Sequence, residues 1–61
     1  MKLLNLKNKR KATKDDFKLG TTLFDSEGNS FTLKNEYAEG IWESVYRVHF
    51  TSEAKHYWVV E

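Results

Sequence analysis

Ile41 to Phe50, read IWESVYRVHF, is the stretch that most restricts this chain. It is rich in β-branched and aromatic residues, and neither Gly nor Pro interrupts it. Such residues lose rotamer freedom in a helix and pack well on a pleated surface, so the stretch predicts a strand. Alternation places Trp42, Tyr46, Val48 and Phe50 on one face and Glu43, Arg47 and His49 on the other. The expectation is one central, half-buried strand with a dry face and a wet face.

The 61 residues around it make one domain. A domain of this size buries only about 60% of the surface its unfolded chain exposes, so every large apolar side chain matters. There is no cysteine to form a disulfide or a thiolate metal site, which fits a cytoplasmic home. Nothing reads as a membrane span or signal peptide, so no leader is expected to be removed and no membrane partner is expected.

Charge is unevenly placed. Residues 1 to 18 carry seven basic side chains against Asp15 and Asp16, a net of +5. Residues 19 to 61 carry Lys34, Arg47 and Lys55 against seven carboxylates, a net of −4. A basic arm over 1–18 thus precedes a mildly acidic body over 19–61, an asymmetry that points to nucleic acid or membrane contact, or to a tail that docks on an acidic partner. The bland alternative is a lysine-rich segment that keeps a small protein soluble.

Within the arm, Leu4 and Leu6 suggest a short edge strand, and Asn8 to Lys11 reads as an exposed basic run that a partner would have to order. Thr13 followed three residues later by Asp16 resembles a capping box, and one or two helical turns are expected from about Lys14 to Leu19, ended by Gly20 and anchored by Phe17. Thr21–Asp25 and Asn29–Lys34 then form a hairpin across Ser26-Glu27-Gly28, with Gly28 in the left-handed position. Its register pairs Asp25 with Asn29, Leu23 with Phe31 and Thr21 with Leu33. Asn35 to Gly40 reads as a polar connection.

After Phe50, Thr51 to Ala54 reads as a loop and Lys55 to Val60 as the last strand. Pairing Phe50 with Lys55 sets His49 opposite His56 and Arg47 opposite Trp58 on the wet face. A shift of one residue would reverse every side chain.

Gly20, Leu23-Phe24-Asp25, Gly28, Phe31-Thr32-Leu33, Trp42, Val48 and Phe50 together resemble a small SH3-like β-barrel, including the KOW-type modules of transcription and translation proteins. The resemblance covers about residues 19 to 60. It implies a mainly β fold, an antiparallel SH3-like barrel or strongly curved sheet of four to five strands with one short helical turn near 14–19.

Candidate sites divide by chemistry. His49 and His56 lack the further ligands a zinc site needs, so no metal and no cofactor are expected. With no Cys and no serine marked by its context as activated, enzymatic activity is not expected either. Nine aromatic residues exceed what so small a core can bury. A surface patch of Arg47, His49, His56 and Trp58 is therefore the candidate protein-binding site. The leading expectation is a non-catalytic binding protein, monomer or weak dimer, that regulates or inhibits a partner protein, as bacterial or phage accessory proteins do. The alternative is a nucleic-acid-binding module that uses Lys7, Lys9, Arg10, Lys11 and Lys14 on phosphates and exposed aromatics on bases.

Overall fold

The computed structural model describes residues 6–61. Local chemistry accounts for the turn at residues 14–16, where the Thr13 N–H donates to Asp16 Oδ2 at 2.8 Å and the Asp16 N–H to the Thr13 carbonyl at 3.0 Å. This capping box opens a 3-10 turn over Lys14–Asp16, and Phe17 beyond it is buried. The expected helical turn is thus present, in its tighter form and ending sooner.

Seven short strands and a second 3-10 segment, Thr51–His56, make up the rest of the regular structure among the described residues: β1 Lys9–Lys11, β2 Thr22–Phe24, β3 Ser30–Thr32, β4 Asn35–Ala38, β5 Ile41–Glu43, β6 Val48–Phe50 and β7 Trp58–Val60. The fold is mainly β and antiparallel. The strands form two sheets, ordered β1-β7-β2-β3 and β4-β5-β6, where four to five strands were expected.

The first hairpin has the expected register. Leu23 pairs with Phe31, the Asp25 N–H donates to the Asn29 carbonyl at 3.0 Å, and the Leu33 N–H donates to the Thr21 carbonyl at 2.8 Å. Gly28 sits at φ 85°, and Asp25 Oδ1 accepts the N–H groups of Glu27 and Asn29, both at 2.9 Å. These bonds hold the Asp25 carboxyl below its usual range even though burial pushes the other way.

Ile41 to Phe50 is the principal correction. It is a hairpin and not one strand, with Ile41 opposite Phe50, Trp42 opposite His49 and Glu43 opposite Val48. The reversal occurs at Ser44 to Arg47, where the Ser44 N–H donates to the Arg47 carbonyl at 2.9 Å. Asn35–Ala38, expected as a connection, is the edge strand β4 of the same sheet.

The last segment also differs. Thr51–His56 is a 3-10 segment that leads β7 away from β6 and into the other sheet, between β1 and β2. Lys9, Arg10 and Lys11 pair with Val60, Val59 and Trp58. The basic run is therefore ordered by the chain itself. The expected strand through Leu4 and Leu6 falls outside the described residues except for Leu6, which is exposed.

Leu23 and Leu33 are wholly buried and form the centre of the core with Ala12, Phe17, Ala54, Tyr57 and Val59, against which Phe31 and Trp42 pack. Phe17 and Phe31 both meet Tyr57 edge-on, at 6.5 Å between ring centroids.

Candidate functional site

The β5–β6 register decides which side chains reach the surface. Trp42 and His49 oppose one another on the inner side, so Ile41, Glu43, Val48 and Phe50 lie on the outer side. With Tyr37 of β4 they line an open groove of about 400 Å³. Tyr37 is 70% exposed and Phe50 43%, large apolar surfaces for a domain of this size. The charged group in the groove is the Glu43 carboxylate, which accepts from Asn35 Nδ2 at 2.9 Å.

Behind the groove runs a buried polar chain. His49 has no solvent exposure, and Ser44 is buried beside it. Ser44 Oγ lies 3.2 Å from the Arg47 carbonyl and 2.9 Å from His49 Nε2, while His49 Nδ1 lies 2.9 Å from the Tyr57 hydroxyl. With the Ser44 hydroxyl donating to the Arg47 carbonyl, His49 Nε2–H donates to Ser44 Oγ and Tyr57 O–H donates to Nδ1. Every polar hydrogen then has an acceptor, and the network assigns the neutral Nε2–H tautomer.

Electrostatics favour the same state. Burial first, and then the nearby Arg47 charge, push the His49 pKa below its ordinary value, while burial pushes the Tyr57 phenol up. A serine 2.9 Å from an imidazole is also the arrangement of a nucleophile and its base. Here, however, the Ser44 hydroxyl is tied to the carbonyl that closes its own turn. The chain of bonds pins the Ser44 to Arg47 turn and β6 onto the residue that precedes β7.

Above this turn, Tyr46 is 89% exposed and Val45 projects beside it. A cleft of about 170 Å³ separates the turn from β3, lined by Ser30, Phe31, Thr32, Ser44, Val45 and Tyr46.

The four expected protein-contact residues do not form one patch. His49 is interior, because the reversal at Ser44 to Arg47 turns Trp42 and His49 to the same inner side. Arg47 packs its guanidinium over the Phe31 ring at 5.1 Å and not over Trp58. Trp58 lies in the other sheet, between Lys11 and Phe24. His56 is exposed at the end of the 3-10 segment that replaces the expected loop.

The basic residues also separate. Lys9 and Lys11 place their ammonium groups over aromatic rings, at 4.7 Å from the Phe24 centroid and 4.2 Å from the Trp58 centroid. Arg10 turns to the opposite side and grips Asp16 in two bonds of 2.7 and 2.8 Å, which with the Thr13 N–H hold the Asp16 carboxyl at about 2. Lys7 and Lys14 are exposed.

Tyr37, Ile41, Val48 and Phe50 were not legible as a surface from the sequence, since the assumed continuous strand put Val48 and Phe50 inside. Among the described residues, no group of three or more His, Cys, Asp or Glu side chains could hold a metal ion. No helix among them is long and apolar enough to cross a membrane. No protein-family model, curated protein or solved structure matches this chain.

Proposed function

We propose that this chain is a non-catalytic binding module that regulates or inhibits a partner protein, docking it on the outer face of β4-β5-β6. One observation carries the reading: Tyr37, Ile41, Val48 and Phe50 form a single apolar groove on the solvent side of a sheet whose other side faces the core. Aromatic side chains at the centre of an apolar patch are what an interface hot spot requires.

Charge specifies the partner further. Glu43 lies in the groove and Glu39 in the turn between β4 and β5, while the guanidinium of Arg47 is turned away to Phe31. The occupant that fits is an apolar protein segment flanked by basic residues. A small cysteine-free accessory protein of the bacterial or phage cytoplasm matches this reading.

The test is capture from a bacterial lysate with three immobilised proteins: wild type, Val48→Glu/Phe50→Glu, and Lys9→Gln/Lys11→Gln. Circular dichroism establishes that all three are folded. The expected result is a protein retained by the wild type and the lysine variant and lost by the groove variant. Equal capture by all three, or no specific capture at all, would reject the reading.

A further inference from the structure

We infer that the outer face of the other sheet, β1-β7-β2-β3, binds single-stranded nucleic acid, independently of the groove on β4-β5-β6. The inference starts from register. Lys11 pairs with Trp58, Trp58 with Phe24, and Phe24 with Ser30, so one row crosses all four strands as ammonium, indole, phenyl ring and hydroxyl. In flanking rows Lys9 pairs with Val60 and Thr22 with Thr32, their hydroxyls 2.9 Å apart. Alternation sends the intervening Leu23 and Val59 into the core, where both are buried.

Charge divides the two sheets sharply. The strands of this sheet read KRK, TLF, SFT and WVV, with no carboxylate, whereas Glu36 and Glu43 lie in the strands of the other. A polyanion lying along this face therefore meets Lys9 and Lys11 with no acidic side chain from the strands beneath it. Arg10, between them, is turned to the other side and neutralised by Asp16, so the positive charge of this face is that of Lys9 and Lys11.

The aromatic rings select the class of polyanion. Lys9 and Lys11 are about 6.8 Å apart along their strand, two residues of rise, a separation suited to successive phosphates of an extended strand. Trp58 and Phe24, half-buried beneath the two ammonium groups, offer π-faces on which unpaired bases stack. Binding exchanges each cation–π contact, together with the 2.6 Å bond that Lys11 Nζ donates to the Lys55 carbonyl, for a phosphate contact and a stacked base. Flexible lysine stems allow the ammonium to move aside while the ring stays fixed in the sheet. Duplex bases are already stacked, so the match is to single strands. An acidic peptide would use the lysines and leave the rings idle.

The test is fluorescence anisotropy with a labelled oligothymidylate over a range of salt concentrations. Binding is expected at low salt, with log K falling against log salt by about 0.7 for each phosphate contact. Lys11→Gln should reduce that slope by about 0.7. Trp58→Ala should weaken binding about 5- to 150-fold, the range for one stacked base, and Trp58→Phe should restore most of it. Trp58→Phe and Lys9→Gln/Lys11→Gln keep the test valid if the alanine variant unfolds. Absence of binding at low salt, equal competition by a polyglutamate peptide, or affinity unchanged in the folded Lys9→Gln/Lys11→Gln variant would overturn the inference.

Discussion

His49 Nδ1 and the Tyr57 hydroxyl lie 2.9 Å apart in a site closed to solvent, and this bond joins β6 of one sheet to the residue that leads into β7 of the other. Tyr57→Phe removes the donor and leaves a buried nitrogen unpaired. The expected loss is about 1–3 kcal/mol, seen as a lower midpoint in urea denaturation with little change in slope. A midpoint equal to that of the wild type would show that the bond does not couple the sheets.

The same histidine makes stability depend on pH. Its folded pKa is depressed, so below about 6.5 the unfolded chain takes up a proton that the folded chain refuses. The stabilisation is complete above the unfolded pKa and is lost as pH falls through the window between that value and the folded one. Thermal melts should therefore show stability falling on mild acidification, and His49→Gln should flatten that dependence. An identical pH profile in the variant would contradict this assignment.

Asp16 acts in a lower window. With its pKa held at about 2 against an ordinary 3.8, its contribution is present above the ordinary value and disappears as pH falls toward 2. Asp16→Asn should lower the melting temperature at neutral pH, with the difference closing in strong acid. Arg10→Lys should weaken the same contact, because lysine cannot reproduce the two-pronged bond.

Two turns depend on glycine. Gly28→Val should cost about 1 kcal/mol or more, since a β-branched residue is strained at φ 85°. Gly40→Ala adds a second cost, because at φ 78° the new Cβ would lie 3.3 Å from Thr51 Oγ1. Melting temperatures of the two variants check both.

Leu23→Ala should cost about 2–5 kcal/mol, the range for emptying a well-packed leucine site. In a domain with only a few kcal/mol to spare, that is expected to unfold much of the population at room temperature, which one-dimensional NMR would reveal as collapsed dispersion.

The first half of the fold was legible because its signals are local. Thr13 with Asp16, and Asp25 with Gly28, fix their own turns through bonds spanning three or four residues, and the alternation of Leu23, Phe31 and Leu33 sets the register that follows. The second half was not. Ser44-Val45-Tyr46-Arg47 contains no Gly, Pro, Asn or Asp, and Ser44 alone is too weak a turn signal to mark a reversal inside a run of β-formers. The turn is held by the Ser44 side chain reaching Arg47 and His49, contacts that exist only once the hairpin is closed.

That single missed reversal moved the expected site. Placing His49 inside and Phe50 outside exchanges the two faces of β6, and it removes Arg47 from Trp58. The route of β7 was equally hidden, because its partners are 47 or more residues away for β1 and 34 for β2. Lys9 to Lys11, by contrast, was recognised as a basic segment from charge alone. What charge could not show is that alternation splits it, with Arg10 turned to Asp16 and the two lysines turned to the aromatic face.

The position of β7 between β1 and β2 carries a consequence for synthesis. As the chain leaves the ribosome, β1 and β2 appear first, yet neither can complete its sheet until Trp58 to Val60 arrive between them. The β2–β3 hairpin can close early, while Lys9–Lys11 waits for its partner. In that nascent state Lys9–Lys11 is an unpaired segment whose positive charge opposes pairing with the same segment of a neighbouring chain. Lys9 and Lys11, which cover the aromatic rings of the finished protein, thus place like charges on every unfinished copy.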